Sequence, residues 1–401
     1  MTFEGVMGPV FPVPGIRLGS AAAGIKRPGR DDILIIEAAP GSTCAAVFTQ
    51  NAFCAAPVKV ARDHLGSSPR WLLVNSGNAN AGTGKKGHED ALSTCSALGG
   101  LVGAEAERVL PFSTGVIGEF LPVDRLNAAL PQALEALSET GWESAARAIM
   151  TTDTRPKIAS RRFMVGQQSV TVTGIAKGAG MIHPNMATML AFIATDAGVS
   201  SDALQGVLKR AVEGTFNCIT IDGDTSTNDA CVLLASGNSA FLVPESRDFI
   251  AFERAVLEVC QLLSEAIVRD GEGATKLIRI LVEEANSLEE ALKVGRTIAL
   301  SPLVKTAFFA SDPNWGRILA AVGRAGVLDF DIDRVSIFLG EIEIVRGGAR
   351  APGYTEEAGS IVMAQEEILV RVRLGRGESA ATVVTCDFSY DYVRINAEYR
   401  T

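Results

Sequence analysis

The segment Lys177–Ala197, KGAGMIHPNMATMLAFIATDA, holds the residues best suited to chemistry. A small residue, Ala187, and then Thr188 precede the apolar run Met189–Ala194, which is short enough for a buried strand. That order can present a hydroxyl at a strand edge as a nucleophile. Equally, Thr188 can be one more strand threonine, a common strand residue. A Ser/Thr–His–Asp triad needs a histidine, and the chain has three: His64, His88 and His183. His183 lies five residues before Thr188 and reads as structural, while His64 and His88 sit among polar residues and receive no role. Lys177-Gly178-Ala179-Gly180 lacks the residue order of a phosphate loop. Asp222-Gly223-Asp224 with Asp229 clusters carboxylates of the kind that ligate Mg²⁺, but without calcium-loop spacing. Polar support of a site is the preferred reading, and no metal is expected.

Positioning these residues falls to a mixture of strands and helices. Trp71–Val74 reads as a buried strand running into Asn75-Ser76-Gly77-Asn78-Ala79-Asn80, and 168–174 (QSVTVTG) alternates as a half-buried strand does. Helical spacing covers Glu89–Gly99 and Asp124–Met150, the latter through Leu126, Leu130, Leu134 and Leu137. Further helices are expected over Ser201–Val212, closed by Gly214, and over Arg247–Arg269. Ser287-Leu288-Glu289-Glu290 is a capping box. Strand alternation returns at Val335–Phe338, Ile368–Leu374 and Thr382–Ser389. The pattern is an α+β layered fold without an internal repeat or a flexible linker, so the two halves are expected to form one interlocked body.

Composition narrows the class. The 401 residues are 47% hydrophobic and 21% charged, an ordinary globular balance with material for a large core. A net charge of -9, a pI of about 5.1 and the lack of a long basic run argue against nucleic acid or an anionic membrane as main partner. Seven scattered cysteines without a Cys-x-x-Cys pair suit a reduced, cytoplasmic protein. The N-terminus lacks the basic start and apolar run of a signal peptide, and no stretch approaches 18 apolar residues.

Six more segments carry a resemblance: STGVIGE at 113–119, MTTDTRPK at 150–157, FNCITIDGDTSTND at 216–229, DGEGATK at 270–276, SDPNWGR at 311–317 and RINAEYRT at 394–401. With KGAGMIHPNMATML they resemble, in order and across nearly the whole chain, the ornithine acetyltransferases. These are the bifunctional glutamate N-acetyltransferase/amino-acid acetyltransferase family of arginine biosynthesis.

The resemblance implies a DmpA-like αββα fold, an α/β sandwich with helices outside two packed sheets. It implies self-cleavage between Ala187 and Thr188 into an α chain, 1–187, and a β chain, 188–401, assembled as α2β2. Thr188 then becomes an N-terminal nucleophile whose own α-amino group is its base, so no histidine is needed. That amine has an ordinary pKa of about 7.7–8.0, so much of it is free base near neutrality. The oxyanion hole falls on Thr114 and Gly115, where glycine would allow close approach of the substrate. Substrate contacts fall on Thr151 or Thr152, on Lys177, Thr188, Glu272, Asn396 and Thr401. Lys177 suits an α-carboxylate and Glu272 an ammonium group. The implied reaction is ping-pong transfer of acetyl from N-acetylornithine to glutamate in the cytoplasm, without a cofactor or metal, and with acetyl-CoA as a possible second donor. Two other readings compete: an N-terminal-nucleophile aminopeptidase or amidohydrolase, with water as acceptor, and a non-enzymatic metal- or nucleotide-binding protein built around Asp222–Asp229.

Overall fold

Aliphatic runs such as Ile33-Leu34-Ile35-Ile36 and Leu72-Leu73-Val74 are buried at every position. Because successive strand residues point to opposite faces, such strands need cover on both sides. The layered fold of the computed structural model, which describes residues 6–25, 29–183 and 189–398, supplies it. The chain divides into two compact units, Met1–Asn217 with Asp224–Ile267, and Cys218–Gly223 with Val268–Thr401.

The first unit opens with β1 (Val6–Met7), β2 (Ile16–Ala21), β3 (Ile33–Ala38), β4 (Thr43–Phe48) and α1 (Ala56–His64). Next come β5 (Trp71–Asn78), α2 (Gly84–Val102), β6 (Val109–Val116), α3 (Val123–Glu135) and α4 (Trp142–Ala148). It continues with β7 (Lys157–Val165), β8 (Gln168–Lys177), β9 (Leu190–Thr195), α5 (Ser201–Gly214), β10 (Ala230–Ala235) and most of α6 (Arg247–Arg269).

Two sheets form here, ordered β1-β7-β8-β9-β10-β4 and β2-β3-β5-β6. Leu34, Ile36, Leu72, Val74 and Phe112 share one core with Ile175, Phe192 and Val232 of the other sheet. Phe112 and Phe192 meet edge to face at 5.2 Å. The alternate residues Ile33, Ile35 and Leu73 face a second core with Leu98 of α2 and Leu130 of α3. On the far side of the six-stranded sheet, Val259 and Leu263 of α6 lie over Gly174 of β8, where a Cβ would stand only 3.1 Å from each. The Gln205 amide of α5 bonds both backbone groups of Ala46, shielding the edge strand β4. This is the αββα sandwich expected.

The second unit holds β11 (Leu277–Ala285), α7 (Leu288–Ala299), α8 (Pro302–Phe309), α9 (Trp315–Gly323), β12 (Ser336–Leu339) and β13 (Ile342–Arg346). After these come β14 (Ala349–Arg350), α10 (Glu356–Met363), β15 (Glu367–Arg373), β16 (Ser379–Cys386) and α11 (Tyr390–Ala397). Its sheet, β14-β13-β12-β15-β11-β16, packs Ile280 and Val282 on Val294, Ile298, Phe308 and Ile318. Ser287 Oγ caps α7 by accepting from Glu290 N–H, and Glu290 accepts from Asn286 N–H, so the box closes one residue early.

One expectation changes. The helical stretch expected over Asp124–Met150 breaks into α3 and α4, because Leu18 and Ser138 exchange backbone hydrogen bonds in a β-bridge. β8 and β9 are antiparallel neighbours, with Lys177 opposite Leu190.

Candidate active site

The Ser113-Thr114-Gly115 segment ends β6, beside β5. Asn78 pairs with both Thr114 and Val116, so the ladder is irregular there. Gly115 has φ +136°, and a Cβ on it would stand 2.2 Å from the carbonyl carbon of Gly77. Glycine is therefore required by the neighbouring strand, a more immediate reason than substrate approach. Thr114 is buried, and the Ser113 hydroxyl donates to Asn75 Oδ1 at 2.6 Å.

A second group forms where the 151–153 turn meets the end of β8. Asp153 and Lys157 pair at 2.7 Å with both side chains 0% exposed. Asp153 Oδ1 also accepts from Gly178 N–H at 2.6 Å, and Oδ2 from Thr151 N–H at 2.9 Å. Burial pushes this carboxyl upward, but the Lys157 and Lys177 charges and the Gly178 N–H outweigh it and hold the acid well below the usual range. One buried carboxylate thus brings together two of the expected substrate positions, Thr151 and the Lys177 turn, with Thr152 beside them. In the sequence Asp153 shows only as an acid four residues before a lysine.

The third group follows the undescribed stretch. Met189 N–H donates to Asp229 Oδ1 at 2.8 Å, and Met189 C=O accepts from Ala230 N–H at 3.2 Å. Asp229 is buried and its own C=O accepts from Thr49 N–H at 3.0 Å. Asp222 and Gly223 belong to the second unit and Asp224–Asp229 to the first. Among the described residues no three His, Cys, Asp or Glu side chains are grouped to hold a metal. Ala187, Thr188 and Thr401 lie outside the described residues.

In the second unit, Asn396 Nδ2 donates to Glu272 Oε2 at 2.8 Å, joining two more expected positions. Gly273 has φ +70°, and a Cβ there would meet the Tyr392 backbone nitrogen of α11 at 2.5 Å. The Ser389 hydroxyl donates to Gly273 C=O at 2.6 Å, fixing the start of α11 on this loop.

The histidines separate clearly. His64 is buried, with Nδ1 2.8 Å from Val109 C=O. His88 and His183 are partly exposed.

The ArgJ family profile matches residues 17–401. The chain belongs to the ArgJ family. It is 68% identical over 392 residues to the arginine biosynthesis bifunctional protein ArgJ of Methylococcus capsulatus, spanning 97% of this chain and 96% of the relative. The protein of the same name from Pseudomonas fluorescens is 56% identical, spanning 98% of each chain. The crystal structure of the arginine biosynthesis bifunctional protein from Bacillus halodurans is similar at 40% identity and a TM-score of 0.50, covering 52% of this chain and 98% of that chain. The family is the one the motifs resemble, and this ArgJ-family chain is accordingly an acetyltransferase enzyme. No helix among its described residues is long and apolar enough to cross a membrane.

Proposed function

We propose that this chain cuts itself between Ala187 and Thr188 and then moves acetyl from N-acetylornithine to glutamate. The observation that carries the reading is the grip of Asp229 on Met189, the residue after Thr188, at the mouth of the fully buried β9. A nucleophile placed there would inherit a fixed backbone. The Thr188 hydroxyl adds to the Ala187 carbonyl, the peptide C–N bond breaks to leave an ester, and water hydrolyses that ester. The freed α-amino group then takes the Thr188 hydroxyl proton as the oxygen attacks the acetyl carbonyl. Thr114 O–H and Gly115 N–H receive the negative charge on the carbonyl oxygen. Ornithine departs with the proton, leaving acetyl-Thr188, and the glutamate amine attacks next. Lys177 is the partner for an α-carboxylate and Glu272 for an ammonium group, with Thr151, Thr152, Asn396 and Thr401 as further substrate contacts.

The Bacillus halodurans chain supports the cut, because nearly all of it matches only about half of this one. Hydrogen bonding supports continued association, since β8 lies before the bond and its partner β9 after it. We take α2β2 as the assembly, acetyl-CoA as an alternative donor, and no cofactor. Seven cysteines without disulfides support a cytoplasmic setting.

Transferase and hydrolase differ in the acceptor. With N-acetylornithine alone, the β chain gains the mass of one acetyl group and ornithine appears in a stoichiometric burst. Glutamate then gives steady turnover to N-acetylglutamate, its bound amine having an intramolecular advantage over water. Equal steady release of acetate without glutamate would replace this reading with the hydrolase.

A further inference from the structure

The nucleophile strand β9 and the oxyanion strand β6 belong to different sheets of the sandwich. Sheets that face each other across interdigitated side chains have no ladder to set their relative position. Acyl transfer requires the two strand ends to be fixed closely, since a misplacement of about 1 Å costs about 10²-fold in rate. Some element must supply that registration.

Two consecutive residues ahead of β10 reach both strand ends. The Asn228 amide donates to Ser113 C=O at 2.9 Å, one residue before Thr114, and to Ala79 C=O at 2.6 Å. Ala79 N–H in turn donates to Val116 C=O at 2.9 Å, so Asn228 grips both sides of the Gly115 irregularity. Asp229 grips Met189 N–H, one residue after Thr188. Asn228 is itself braced: its Oδ1 accepts from the Thr227 hydroxyl, and its N–H donates to Ser226 Oγ at 3.0 Å. Thr227 C=O accepts from Ala55 N–H at 2.9 Å, and the Thr49 hydroxyl donates to Ser226 C=O at 2.8 Å. Both side chains are buried.

We propose that Asn228 and Asp229 are positioning residues that fix the separation of the oxyanion strand from the nucleophile strand. The inference rests on the roles given above to Thr188, Thr114 and Gly115. Asn228 touches no reacting atom and acts through the β6 carbonyl it holds, whereas Asp229 acts through the backbone of residue 189.

The test is a kinetic comparison of Asn228→Ala, Thr114→Ala and their double variant with the wild-type enzyme. Asn51→Ala is the control, because Asn51 Nδ2 bonds Thr225 C=O in the same loop without touching β6 or β9. Asn228→Ala should lose about 10²-fold in kcat at nearly constant KM, while Asn51→Ala keeps kcat at a comparable fall in Tm. The double variant should lose no more than the worse single variant, because both act on one oxyanion hole; independent losses would multiply. Full kcat in Asn228→Ala, a loss that Asn51→Ala reproduces, or multiplied losses in the double variant each overturn the proposal. If Asn228→Ala does not fold, Asp229→Asn and Asp229→Leu decide. Asn keeps an acceptor for Met189 N–H and should retain kcat, whereas Leu should lose it, and equal kcat in the two overturns the proposal. An unimpaired Thr114→Ala would remove the oxyanion assignment and this inference with it; an impaired Thr114→Ala beside an unimpaired Asn228→Ala removes the inference alone.

Discussion

The Asp153 group and the Glu272–Asn396 pair both carry positions proposed to meet substrate, but they are held by different physics. Asp153 and Lys157 are sealed from water, and the carboxylate is filled by Lys157, Thr151 N–H and Gly178 N–H. Glu272 is buried but its partner Asn396 is exposed on the terminal helix, and one side-chain hydrogen bond joins them. Removing one member of a buried ion pair leaves an uncompensated charge, whereas an exposed amide is replaced by water at small cost. The first group is therefore a rigid frame that tolerates little change. The second is an adjustable contact.

The comparison orders the expected effects. Gly115→Ala should be the most severe, since its methyl group would collide with the Gly77 backbone. Displacing the proposed oxyanion donor in this way should cost about 10²–10³ in kcat, read by steady-state kinetics on protein with native circular dichroism. Asp153→Ala should destabilise by about 3–5 kcal/mol, measured by urea unfolding. The double variant Asp153→Asn/Lys157→Met should recover part of that loss by removing both charges of the pair, while the buried Lys177 charge remains. Equal destabilisation in the two would show that hydrogen-bond geometry, rather than charge, matters here. Asn396→Ala should change kcat/KM less, by about tenfold, as expected for one hydrogen bond to a charged group. A larger effect on kcat/KM than Gly115→Ala would reverse the ordering.

Acidity gives the smallest effect near neutrality. The Asp153 carboxyl is depressed in the folded state, so its contribution is fully present above the unfolded value of about 3.9 and is lost as pH falls toward its lower folded value. Wild-type Tm should stay flat through Asp153 between neutrality and about pH 5, then fall on acidification. Asp153→Asn/Lys157→Met should lack that share of the decline; an identical acid limb in both proteins would remove Asp153 as its source.

Much of this arrangement was legible in the sequence. The buried run Met189–Ala194, the helix Arg247–Arg269 and the capping box at Ser287 follow from periodicity and local chemistry, which act over a few residues. The αββα layering and the identity of Thr114, Gly115 and Glu272 as site candidates came through motif resemblance, because a Ser-Thr-Gly turn has no physical signature of its own. What stayed hidden depends on segments distant in sequence. Asp153 looks like a surface acid until Gly178 comes to meet it, and Asn228 looks like a loop amide until Ala79 and Ser113 lie within its reach. Gly115 likewise reads as a substrate-side glycine, although the backbone of Gly77 already excludes a side chain.

Intact mass spectrometry of the freshly purified wild-type protein and of Thr188→Ala tests the central claim most directly. Wild type should give chains of 187 and 214 residues in place of one 42.1 kDa chain, the longer beginning Thr-Met-Leu-Ala on N-terminal sequencing. Thr188→Ala should remain one chain and transfer no acetyl. A Thr188→Ala protein that still divides at this bond, or that turns over N-acetylornithine and glutamate as a single chain, would contradict the account.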